Sequence, residues 1–254
     1  MLTSMTISWI VFGVVFGGAI LGVILRARLP EHHVREDSRD VVKLAMGLIG
    51  TMTALVLGLL IASAKSSFDT QRNGLAQLSG NVIFLDRTLA RYGPESKDAR
   101  EMLQASVTDM LERTWPEESS QPAQTEKGGT EGRYEGFYTK LEELAPKNES
   151  QRALQTQALK TAADIGQARW LLFAQKSRSI PTPFLVVMVF WVALILASFG
   201  LFAPRNAMAI VTLLLCALAI STAVFLILEL DQPFDGMIRI SSAPLRGALA
   251  QLGR

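Results

Sequence analysis

Between Lys43 and Lys65 the chain runs 21 residues without a charge. As an α-helix that segment is about 32 Å long, enough to cross a hydrocarbon core of roughly 30 Å. Three more charge-free stretches of spanning length occupy residues 1–25, 179–204 and 206–228. A soluble core helix of this length keeps a polar face, and these do not. The chain is therefore read as a multi-pass membrane protein. The first stretch has no basic segment before its apolar run, and Arg26 and Arg28 follow it, so it reads as a retained anchor.

The 254 residues carry a formal net charge of only +2, which excludes the basic surface that nucleic acid requires. The single cysteine, Cys216, falls inside the last apolar stretch and leaves the redox compartment unread. No CxxC, H-E-x-x-H, G-x-S-x-G or phosphate-binding glycine loop is present, so the expectation is a non-enzyme without cofactor or metal. His32 and His33 lie together in a charged connector, where adjacent histidines are usually solvated rather than ligating.

The second stretch is unusual in having one small or polar face. Gly47, Thr51, Ala54, Gly58, Ala62 and Lys65 recur at spacings of three and four. Small residues let another helix approach closely, or leave a lumen open where copies meet around an axis. These six are the candidate pore-lining residues. Lys65 has two readings: a ring of ammonium groups that favours anions, or an anchor that snorkels to the headgroups. The first stretch carries two G-x-x-x-G pairs, Gly13 with Gly17 and Gly18 with Gly22, suited to close packing against another helix.

Beyond Lys65 the helix is expected to continue. Phe68, Leu75, Val82 and Leu89 fall seven apart, and Leu78, Leu85 and Tyr92 fill the complementary positions, with Gln71 as the polar interruption. That is a coiled-coil-like seam, ended by Gly93-Pro94. Further helices are expected near 95–114 and 134–145 and over 149–178, with a mobile polar loop near 117–133. Residues 65–178 carry 16 Lys or Arg and 16 Asp or Glu, the balance of a solvated helical surface.

After two spans joined by a short connector at 203–206, the tail gathers Glu229, Asp231 and Asp235 around Pro233-Phe234. These three are the candidate ion-attracting residues at a vestibule; the alternative is an interfacial turn with Arg239 as counter-charge. Ser241 or Ser242 is placed to cap a final amphipathic helix bearing Leu245, Leu249 and Leu252. The expected fold class is thus an all-α integral membrane protein: four transmembrane helices with a helical-hairpin extramembrane domain inserted between helices two and three. Its segments are 1–64 for the first two spans, 65–178 for the helical domain, 179–228 for the last two spans and 229–254 for the tail. The two short connectors hold six Lys or Arg, which places them in the cytoplasm and the helical domain on the outer side of a bacterial inner membrane.

Several runs resemble a known family. They are Leu29-Pro30-Glu31-His32-His33, Asp40-Val41-Val42-Lys43-Leu44, the stretch from Thr51 through Leu60, and Tyr92-Gly93-Pro94-Glu95. In the tail they are Glu229-Leu230-Asp231 with Pro233-Phe234, and Ser241-Ser242-Ala243-Pro244-Leu245. Over about 29–254 the chain resembles bacterial membrane proteins of unknown function described as bestrophin-like. Bestrophins are pentameric anion channels whose second span lines the pore. The resemblance implies four spans and an oligomeric pore, and carries no site residue over. The expected function is a homo-oligomeric ion channel lined by the second span, with the lipid bilayer and copies of itself as partners. The alternative is a non-conducting sensor or scaffold whose helical domain binds a ligand or a partner protein.

Overall fold

The computed structural model describes residues 3–28, 36–116, 129–174, 182–204 and 206–253. Among them the order is α1 (Ser4–Arg28), α2 (Glu36–Tyr92), a 3-10 turn (Pro94–Ser96), α3 (Lys97–Thr114), α4 (Gly129–Glu142), α5 (Glu149–Ala174), α6 (Thr182–Phe202), α7 (Ala207–Leu230) and α8 (Ala243–Leu249). The His32-His33 pair and most of the polar loop, 117–128, lie outside the described residues. α4 begins at Gly129, inside the stretch expected to be loop. The helix expected from Glu95 is preceded by the 3-10 turn, with Pro94 at its first position and Gly93 before it at φ +128°.

The chain divides into two compact units, Met1–Phe68 with Arg178–Ile238 and Asp69–Ser177 with Arg239–Arg254. In the first unit, α1, α6 and α7 and the first part of α2 are long and apolar enough to cross a membrane. What joins α1 to α6 is the absence of side chains. A Cβ on Gly22 would overlap the Ala197 carbonyl, and one on Gly200 would overlap the Ala19 carbonyl. At Gly18 it would stand 3.0 Å from the Ala193 oxygen. Of the two G-x-x-x-G pairs, only Gly18 with Gly22 is used this way; Gly13 and Gly17 have nothing within 4 Å. The backbones therefore approach closely, and Val15, Ala19, Met188 and Val192 close the core around them. Polar groups tie the ends: the Ser221 hydroxyl donates to the Ser8 carbonyl at 2.6 Å, Arg26 donates to the Ala203 carbonyl, and Asn206 caps α7 by accepting from the Ala209 amide at 2.9 Å.

The second unit is built on the heptad positions of α2. Leu75, Leu78, Val82, Leu85, Leu89 and Tyr92 are all buried. So is Gln71, whose Oε1 has no hydrogen-bond partner among the described residues. α3 covers the seam with Ala99, Leu103, Val107 and Met110, α4 adds Phe137 and Leu141, and α5 adds Ala158, Ala162 and Ile165. The tail completes this core, since Ile240, Leu245, Ala248 and Leu252 are buried and α8 packs on α3. The Trp115 indole donates to the Ile240 carbonyl at 2.9 Å. Buried Asp86 takes a bidentate pair from Arg100 at 2.7 and 2.9 Å and a third donor, the Gly253 amide, at 3.4 Å.

Two contrasts test this packing. Gly22→Leu is expected to lower stability in detergent by about 1–3 kcal/mol through overpacking, while Gly13→Leu changes little; thermal unfolding of the two variants decides it. Asp86→Ala, which strands a mostly enclosed guanidinium, should cost about 3 kcal/mol. By the same measurement Arg152→Ala, which breaks an exposed pair with Glu149, should cost under about 0.5 kcal/mol.

Candidate functional site

α2 is continuous from Glu36 to Tyr92, and its first half is divided by face. Thr53, Leu60 and Ala64 are buried, with Val56 and Leu57 partly so, and they pack on the core of the first unit. At about 100° per residue, Gly47, Thr51, Ala54, Gly58, Ala62 and Lys65 fall nearly opposite that face. All six are exposed. A Cβ on Gly47 or Gly58 would meet nothing within 4 Å. Beside this stripe runs a row of large apolar residues, Leu44, Leu48, Leu55 and Leu59, each at least 64% exposed. Only 11% of the apolar window of α2 is buried, against 22–28% for the other three candidate spans. Among the described residues most of the circumference of this helix is left uncovered.

The chemistry of the stripe is sparse and polar in places. The Thr51 hydroxyl donates to the Leu48 carbonyl at 2.8 Å, which leaves its oxygen lone pairs able to accept. The Lys65 ammonium stands 5.9 Å from the Phe68 ring centroid, within cation–π range. The large apolar row beside the stripe went unremarked in the sequence, although its own three-and-four spacing carried the signal.

The acidic tail residues are differently placed. Glu229 is buried and its carboxylate accepts from the Met237 and Ile238 amides at 2.6 and 3.3 Å. Gly236, at φ +94°, lets the chain fold over it; a Cβ there would stand 2.5 Å from Glu229 Oε2. Glu229 therefore organises a turn. Asp231 is buried and Asp235 is exposed. Among the described residues no group of three or more His, Cys, Asp or Glu could hold a metal ion. In the second unit, pKa shifts move groups away from neutrality. Hydrogen bonding between Glu95 and Lys147 lowers the one and raises the other, and burial pushes the Tyr134 phenol up to about 12.

Helices throughout the described residues, four of them long and apolar enough to cross a membrane, define a membrane protein. The bestrophin-like domain model matches residues 13–245. The chain belongs to the bestrophin-like family. Solved structures agree in fold. One mutant of a bacterial bestrophin homologue from Klebsiella pneumoniae is 16% identical, with a TM-score of 0.66 over 96% of this chain and 97% of that one. A second mutant is 15% identical, with a TM-score of 0.64 over 94% and 97%. A third is 17% identical, with a TM-score of 0.60 over 98% and 97%. No curated protein matches the chain.

The turn gives a test of its own. Glu229→Ala leaves two amides without their acceptor, and Gly236→Ala combines a strained φ with a clash. Each is expected to cost about 1–3 kcal/mol and to speed proteolysis within 231–238, read by mass spectrometry of the cleavage products.

Proposed function

We propose that copies of this chain assemble in the bacterial inner membrane into an ion channel, with the small face of α2 turned toward the shared axis. Bestrophin homologues are ion channels, and this chain is a member of that family's bestrophin-like branch. The observation that carries the reading is the outward stripe from Gly47 to Lys65. It is opposite the packed face, uncovered among the described residues, and free of any side chain larger than threonine until Lys65. Two glycines, two alanines and a threonine put little bulk against whatever lies beside this face. Around an axis the same row keeps a lumen open.

Each side of α2 then has a job. The face with Leu60 and Ala64 holds the helix against its own subunit, the row with Leu48, Leu55 and Leu59 meets a neighbouring subunit or lipid, and the small face lines the path. The Thr51 hydroxyl oxygen offers a partner to a passing ion or its water. Gly58→Trp is expected to abolish conductance in planar bilayers while the assembly, measured by size-exclusion chromatography with light scattering, stays the same size. Unchanged single-channel current in that variant removes α2 from the path.

A further inference from the structure

Where α1 begins and α7 nears its end, the first unit holds a cavity of about 260 Å³. Met5, Trp9 and Phe12 of α1 line it with Leu218 and Phe225 of α7, and Met237 of the tail joins them. None of its lining residues carries a charge. Besides the Trp9 indole, its polar side chains are three hydroxyls, and each already donates. Ser8 donates to the Ser4 carbonyl at 3.0 Å, Ser221 to the Ser8 carbonyl at 2.6 Å and Thr222 to the Leu218 carbonyl at 2.9 Å. Trp9 and Met237, 63% and 79% exposed, leave the cavity open to its surroundings.

The turn at Glu229 has a part in building it. Glu229 holds the Met237 amide at 2.6 Å, and Gly236 at φ +94° lets the chain bend back. A residue beyond the end of α7 is thereby returned to the side of the cavity, and its flexible thioether suits an irregular apolar surface. On α1, Trp9 meets Phe12 edge-on at 5.9 Å and Phe12 stacks on Phe16 at 5.7 Å, which steadies the rings of that wall.

The chemistry of the lining selects what fills it. Buried water needs about two to four polar partners, and these hydroxyls have spent their hydrogens within the chain. A charged solute would lose hydration and meet no counter-charge. Hydrocarbon fits, and α1 and α7, both long and apolar enough to span, bring the cavity beside lipid tails. An empty cavity forfeits dispersion contacts along its lining, which a tail restores. Trp9 lies five residues into α1, about 7.5 Å from its start, the depth at which aromatic residues favour the interface. We propose that this cavity seats one acyl chain of a membrane phospholipid between Trp9, Phe12 and Phe225, with Met237 closing over it and the headgroup left in the headgroup layer. The site shares no residue with the α2 stripe and does not rest on the pore.

The test uses the full-length protein in vesicles of phosphatidylethanolamine and phosphatidylglycerol that include a phosphatidylglycerol with a diazirine in its acyl chain. After irradiation, label is mapped by mass spectrometry of the digested chain. Label per residue on 218–225 and on Met237 is expected to exceed that on the exposed α6 residues Phe184, Val187 and Phe190 by roughly threefold or more. Thr222→Trp fills the cavity from an exposed position, and Met237→Asp sets a charge in it. Each should bring the label down to the α6 level, whereas Met237→Leu keeps it. Label on the cavity residues no denser than on α6, or undiminished in both Thr222→Trp and Met237→Asp with thermal unfolding unaltered, overturns the inference. Label sparser than on α6 overturns it in favour of a second protein chain as the cover.

Discussion

The approach of α1 to α6 through bare backbone is the constraint on which the span unit depends. In a bilayer, lipid tails are as apolar as leucine, so helices gain little from burying apolar surface against each other. They gain from contact that lipid cannot match, and Gly18, Gly22 and Gly200 supply it by letting carbonyl oxygens reach the facing backbone. Around that contact Val15, Ala19, Met188 and Val192 interlock, and α7 joins through the Ser221–Ser8 hydrogen bond. From α2, Thr53, Val56, Leu57, Leu60 and Ala64 reach the packed side. The rest of its circumference remains for other molecules.

That division explains why one helix carries three kinds of residue in register. Apolar side chains of middling size face the core, large ones lie beside them, and glycine, alanine and threonine fill the remaining third. Beyond Phe68 the same register continues with leucines inward and arginines outward. A single α-helical repeat thus runs through both parts of α2 without a break, because the direction of each side chain depends only on its position in the helix.

Much of this was legible in the sequence. Charge-free runs of spanning length gave the four apolar helices, and heptad spacing gave the seam of the second unit, down to the buried Gln71. Glycine spacing marked the α1 packing face but could not say which of two G-x-x-x-G pairs would be used, since that depends on where α6 places Ala193 and Ala197. The acidic tail was the harder case. Glu229, Asp231 and Asp235 look alike as letters, yet Glu229 turns inward to hold two amides because Gly236 allows the backbone to curl over it. Nor did the sequence show that 239–253 would finish a core begun at Leu75, for apolar periodicity identifies a face without naming its partner.

That last arrangement also sets a schedule. The Gly253 amide meets Asp86 across 167 residues of chain, and the Trp115 indole meets the Ile240 carbonyl across 125. The intervening sequence includes both α6 and α7. The core of the second unit is therefore left open until two further apolar helices have been made, with Asp86 and Trp115 still waiting for their tail partners. Long-range closure of this kind is slow, and the half-built intermediate presents apolar surface to its surroundings. In the cell this chain's yield should depend less on the strength of any one contact than on what shields that surface during the interval.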